Sequence, residues 1–193
     1  MPTDSDEFKG EYRKGPKTHV VRTPSGAVAQ AKSYSSLTAL LDALVPDASM
    51  RQKYPKLKGK EGALDKRVLE EQRNVRVTGW LLHTRKEDDD DYHLIVGSNA
   101  SGSGNRFMTV EVSGLPPSGK DRALLKTVRS QFEAIVQRRI PSSKYATFSP
   151  PIKIRITGSL FFDGDHAAGS IGPAGHRPQT VWEIHPVAKI EAV

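Results

Sequence analysis

The sequence predicts a mainly β protein: a small barrel of five strands with one helix between the third and fourth. Three observations lead there. From residue 74 onward, short β-branched and aromatic runs alternate with polar positions and are separated by turn residues. Between residues 119 and 139 the apolar period switches from two to about 3.6 and then back. Glycines stand inside two of the strand-like runs, at Gly79 and Gly158, as strongly coiled barrel strands require.

The elements follow in order. Residues 1–17 are polar and aperiodic and read as a mobile tail. Residues 18–73 read as an N-terminal extension. Within it, residues 19–23 and 27–31 flank Pro24-Ser25-Gly26 as a short hairpin. Leu37, Leu40, Leu41, Leu44 and Val45 then recur at helical spacing, with Ser35 or Ser36 as cap and Pro46 as stop. A basic stretch follows at residues 51–60.

Residues 74–193 carry the barrel pattern. Strands are expected at residues 74–82, 91–96, 106–112, 152–162 and 180–190, the last interrupted near Pro186. The helix presents Leu124, Leu125, Val128, Phe132, Ile135 and Val136 on one face. Ser118 and Asp121 are spaced as a capping box, and Pro141 ends the helix. The resulting order, β-β-β-α-β-β, is that of the oligonucleotide/oligosaccharide-binding (OB) fold.

Composition narrows the chemistry. The chain has 193 residues, a net charge of +7 and no cysteine. Disulfides, thiolate metal sites and a cysteine nucleophile are therefore excluded. The acidic N-terminus is no secretory signal, and no apolar run is long enough to span a bilayer, so a cytoplasmic location with no membrane partner is expected. The basic surplus favours a polyanion such as DNA or RNA. Residues 51–60 hold five basic side chains and no acid. Arg51, Lys53, Tyr54, Lys56, Lys58 and Lys60 are candidate nucleic-acid contacts, against the plainer reading of a solvated linker.

A second pattern lies on the strands. Residues two apart in a strand share a face. Asp91 and His93 form such a pair, as do Glu183 and His185; Glu111 lies between apolar neighbours, and Asp163 and His166 follow the fourth strand. Carboxylates and imidazoles together supply an oxygen/nitrogen site for a divalent metal ion, or an acid–base pair. A hydrogen-bonded structural network uses the same residues. Trp80 and Trp182 read as core or rim packing, and the acid run 87–91 as a solvated turn. The basic residues of the helix, Lys120, Arg122, Lys126, Arg129, Arg138 and Arg139, read as a solvated outer face.

The strings VTGWL (77–81 with Leu82 following), DYHL (91–94), VEV (110–112), GSLFFDxxH (158–166) and WEIHP (182–186) resemble a group of uncharacterised bacterial proteins of OB-like build. The likeness spans about residues 65–191 and implies the fold and the location of a site, not an activity. The fold is also similar to that of staphylococcal-type nucleases, whose arginine and aspartate pattern is not matched here. Three functions follow as expectations: a nucleic-acid-binding module, a metal-dependent hydrolase (a phosphodiesterase among its forms) using the Asp/His/Glu set, or an interaction domain in which that set is structural.

Overall fold

The computed structural model describes residues 6–58, 64–137 and 141–193. It is mainly β: a six-stranded mixed sheet with four α-helices. The elements are α1 (Lys14–Thr18), β1 (Ala31–Ser33), α2 (Leu37–Asp42), α3 (Asp47–Lys53), β2 (Asn74–Lys86), β3 (Tyr92–Gly97), β4 (Phe107–Val112), α4 (Lys120–Ile135), β5 (Ala146–Phe162) and β6 (Trp182–Ala192). Five strands were expected; the sixth, β1, comes from the N-terminal extension and pairs in parallel with the start of β2.

The long strands pair in the order β2–β3–β4–β6–β5, and β2 also pairs with β5. All these pairings are antiparallel except β4 with β6, which is parallel. The inner face is apolar: Tyr92, Leu94, Val110, Val112, Trp182, Ile184 and Phe162 are buried. Trp182 is thus core, its indole N–H donating to the Val45 carbonyl at 2.8 Å. Helix α4 adds Val128, Phe132 and the following Val136 to this core.

The strand ends differ from the expected ones for identifiable reasons. β2 continues to Lys86, and its register shifts between Leu81 and His83. On the facing strand the corresponding pairs are Ile152 and Thr147, so residues 148–151 bulge opposite Leu82. Pro150 and Pro151 lie in that bulge, where no ladder donor is required, and β5 therefore starts well before residue 152. Gly79 is not at a bulge. A side chain there would place its Cβ 2.5 Å from Val96 Cγ1. Gly158 does sit at a register shift, where a Cβ would meet Ile184 and the Pro186 carbonyl at 2.6 Å. The irregularity at Gly158 lets β6 run through Pro186 without a break.

The N-terminal third packs against the sheet. Residues 6–17 do not form a detached tail: Phe8, Tyr12 and Arg13 are buried, and Phe8 N donates to Leu115 O at 2.9 Å. Gly114 permits this approach, since a Cβ there would meet Phe8 Cα at 2.8 Å. The Arg13 guanidinium forms a two-pronged ion pair with Glu71 at 2.8 and 2.7 Å. The hairpin near Gly26 is a single bridge, Arg22 to Val28. Ser36 caps α2 through Ala39 N, but Pro46 starts α3 instead of ending the chain's helical stretch. Helix α4 is preceded by Gly119 and has no side-chain cap; Asp121 pairs with Arg22 at 2.6 Å instead. Arg129 is buried beneath the helix, 4.1 Å from the Tyr92 ring centre, and so leaves the expected outer face. Arg138 and Arg139 lie outside the described residues. Among the described residues no helix is long and apolar enough to cross a membrane.

Candidate metal centre

Strand pairing brings the acidic and histidine positions onto the outer side of the sheet. His93 faces Glu111 across β3 and β4, and Arg85 faces His93 from β2. The β4–β6 pairing sets Thr109 beside Glu183. Glu183 and His185 then continue along β6 on the side opposite Trp182 and Ile184. This outer side is not solvated. Residues 6–18 and the long connection after β5 cover it, so that Asp91, His93, Glu111, Glu183 and His185 are all buried.

The contacts are specific. His185 Nε2 lies 3.1 Å from Asp91 Oδ2, and its Nδ1 lies 3.4 Å from Glu183 Oε2. His93 Nε2 is 3.9 Å from Glu111 Oε1, while its Nδ1 meets the Tyr145 hydroxyl at 3.3 Å. Gly114 N donates to Asp91 Oδ1 at 2.6 Å. His166 Nδ1 contacts Asp163 Oδ2 at 2.6 Å. Asp163, His166, His93, Glu111 and Glu183 line one small cavity of about 90 Å³, with Lys17, Arg85, Glu87 and Asp89.

Among the described residues, four buried atoms here make no hydrogen bond: Asp91 Oδ2, His93 Nε2, Glu111 Oε2 and His185 Nε2. The close Asp91–His185 approach therefore does not satisfy either atom as a hydrogen bond would. Buried polar atoms without partners cost about 1–3 kcal/mol each, and native folds keep few of them. Asp91, Glu111 and His185 each offer one ligand atom, and the three atoms lie within 4.8 Å of one another. A divalent ion about 2 Å from each ligand holds its ligands roughly 3–4 Å apart. The spacing is of that order, and Glu183 on His185 Nδ1 is the outer carboxylate that fixes a ligand imidazole's orientation.

The electrostatics match a site built to receive positive charge. Burial pushes the Asp91 carboxyl up to about 6 and Glu183 up to about 7. Glu111 is also raised well above its ordinary value, by burial first and then by the Glu183 and Asp91 charges. Burial lowers His185 and takes His93 down to about 3, which favours the neutral imidazoles that a metal site uses. Burial also opposes the charge on Lys17, but Asp91, Glu183, Asp163 and Glu111 outweigh it and raise its pKa. The Lys17 ammonium sits 5.8–5.9 Å from the ring centres of Phe8, Tyr12 and Phe161. The hydrogen bond that His166 Nδ1 donates to Asp163 raises the pKa of His166.

Several of these residues carry no signal in sequence. Lys17 belongs to the apparent tail. Arg85 and Tyr145 lie beyond the expected strand ends. The acid run was read as a solvated turn, whereas Asp90 and Asp91 are buried and Glu87 and Asp89 half-buried, leaving Asp88 exposed. The basic stretch lies elsewhere and is no free arm. Residues 51–53 belong to α3 and residues 55–57 to a short 3-10 turn. Arg51 donates to Gly164 O at 2.8 Å and to His166 O at 2.5 Å, bracing the connection over the cavity. Lys53 pairs with Glu70 at 2.7 Å, and Tyr54 packs at the core edge. Lys56 and Lys58 are exposed; Lys60 lies outside the described residues. No protein-family model matches the chain, and no curated protein is significantly similar to it.

Proposed function

We propose that this chain is a divalent-metal-dependent hydrolase whose centre is Asp91, Glu111 and His185, carried on the outer face of an OB-type barrel. The barrel reading is supported by the succession of pairings that returns from β5 to β2, the parallel β4–β6 pair and the position of α4. The observation that carries the function is the convergence of ligand atoms from three buried residues, each of which also has a buried side-chain atom that makes no hydrogen bond. A mixed set of two carboxylates and one imidazole suits zinc, manganese or iron better than calcium. Bound there, such an ion supplies Lewis acidity and lowers the pKa of a coordinated water.

The surrounding residues have separate tasks. Glu183 on Nδ1 holds His185 so that Nε2 faces Asp91. Asp163 engages His166 Nδ1, which leaves Nε2 as the nitrogen able to accept a proton at the cavity edge. Lys17 and Arg85 place positive charge on the cavity wall, where negative charge develops as a phosphoryl or acyl bond is attacked. The approach is an open cleft of about 510 Å³, walled by Glu11, Glu87, Asp88, Asp89 and Asp165 among others. Those acids favour entry of a cation.

The test is metal binding followed by activity. Purified protein stripped with a chelator should bind one zinc or manganese ion in calorimetry, and His185→Ala and Glu111→Gln should each abolish binding while remaining folded. The loaded protein should hydrolyse bis(p-nitrophenyl) phosphate or p-nitrophenyl acetate. Absence of binding to any of magnesium, calcium, manganese, zinc and ferrous iron, with the variants losing only thermal stability, would return the cluster to a structural network.

A further inference from the structure

A second region of the outer face has the opposite electrostatic character. Two hollows of about 340 and 510 Å³ lie side by side and share Asn105, Phe107 and Gly175 in their walls. Among the described residues no carboxylate lines either one. Arg106 and Arg177 stand in the smaller; His83 and His176 stand in the larger. We infer that this pair of hollows binds a segment of single-stranded nucleic acid, independently of the metal centre.

The chemistry of the walls supports that ligand. Both guanidiniums are exposed. Arg106 pairs with Asp42 at the rim, but both partners are largely solvated, and such pairs give way easily to a phosphate. Arg177 is held toward the loop by donating to Gly172 O at 3.2 Å. Half-buried Phe107 packs against His176 with ring centres 5.1 Å apart and planes tilted by 55°, at the partition between the hollows. His83 is buried, with Nδ1 3.0 Å from the Thr147 hydroxyl and Nε2 2.6 Å from His176 Nδ1. One proton serves that short contact. When His83 donates it, His176 carries its own proton on Nε2, the ring atom left free to meet an acceptor. An anion in the hollow selects this arrangement.

Two adjoining compartments, each of ligand size, place guanidiniums in one and aromatic and imidazole rings in the other, with Phe107 shared between them. A single strand presents groups for both, with bases against Phe107 and His176 and phosphates toward the arginines. An acidic peptide needs the charge but not the paired ring-lined hollows. Strand geometry also aligns this region with the metal centre. His83 and Arg85 share a face of β2, and the connection after β5 supplies Ile171 to one cavity and Gly175, Arg177, Gln179 and Thr180 to the other.

The test is fluorescence anisotropy with fluorescein-labelled dT and rU 12-mers, in chelator, at 50 and 300 mM salt. The native chain should bind in low salt. Arg106→Gln/Arg177→Gln should weaken binding at least tenfold and reduce the salt slope by about 1.4, two lost phosphates at roughly 0.7 each. Phe107→Leu should weaken it roughly tenfold through lost stacking. Lys153→Gln/Lys189→Gln, which removes the same charge elsewhere, should change it less than twofold. Absence of binding at 50 mM salt, or equal losses in the two double variants, overturns the proposal. So does competition by poly-glutamate as strong as by unlabelled dT 12-mer, or by dTMP at the same concentration of phosphate.

Discussion

Replacing Lys17 with Met should destabilise the metal-free protein and tighten its grip on a divalent ion. The Lys17 ammonium lies 3.7 Å from Asp89 Oδ2, and its side chain is 13% exposed. At an effective dielectric near 20, a pair at this distance is worth about 4 kcal/mol before desolvation. Desolvating the ammonium takes back part of that, so a net loss of about 2–3 kcal/mol is expected in the variant. For a chain of this length that lowers Tm by roughly 4–12 °C. The same carboxylates then face an incoming ion with one internal cation fewer competing for them, Arg85 remaining on the cavity wall. Removing a unit charge at similar range from a doubly charged ligand should raise affinity by tenfold or more. The assay is calorimetric titration with manganese alongside thermal melts with and without the ion. Saturating metal should raise Tm more in the variant than in the native chain. Manganese affinity unchanged or weaker in Lys17→Met would refute this account of the ammonium as the counter-charge of the cluster.

Three further outcomes follow from the structure. Arg13→Met should cost about 3–5 kcal/mol, because it leaves the fully buried Glu71 carboxylate without its cation, and Arg13→Met/Glu71→Leu should recover much of the loss in chemical denaturation. Glu183→Gln should weaken metal binding about 10–100-fold in calorimetry while Asp91, Glu111 and His185 remain in place. Burial first, and His176 second, hold His83 below its usual pKa of 6.5, so the unfolded chain binds a proton there that the folded chain does not. Its contribution to stability is present above pH 6.5 and is lost as pH falls below that value. The difference in unfolding free energy between the native chain and His83→Gln should accordingly shrink from pH 8 to pH 5.5, and a constant difference would count against the assignment.

The alternation of residues along strands was enough to place Asp91 with His93 and Glu183 with His185, because period two is local. The helix at 120–135 was legible for the same reason, from its 3.6 period. What could not be read is whatever depends on distant partners. The beginning of β5 is set by a bulge that absorbs Pro150 and Pro151 opposite Leu82, a feature of two strands far apart in sequence. Lys17 and Arg13 sit among polar residues without period, and only Glu71, Phe161 and the carboxylate cluster give them a place. The capping-box spacing at Ser118 and Asp121 misled because Asp121 had a stronger partner in Arg22, almost a hundred residues away.

The burial of the polar face ties these points together. An outer sheet face bearing Asp91, His93, Glu111, Glu183 and His185 would be unremarkable in water, where each group is hydrated. Here the N-terminal segment and the connection after β5 seal it, and the seal is specific: Tyr12 bonds the Leu57 carbonyl, Arg67 bonds the His185 carbonyl at 2.9 Å, and Arg51 grips the connection at Gly164 and His166. Desolvating five ionisable groups opposes folding, as their shifted protonation equilibria record. A structural network would offset that cost by pairing every atom. Among the described residues, four atoms at the centre are left without hydrogen bonds, and three of their residues converge on a single point. A divalent ion held by Asp91, Glu111 and His185 would satisfy three of those residues together and neutralise the raised carboxylates at the same time. On this reasoning, metal binding should release protons near neutral pH, which calorimetry in buffers of different ionisation enthalpy measures directly. Binding with no proton release across pH 6–7.5 would mean that the ion sits elsewhere, among the exposed acids of the cleft.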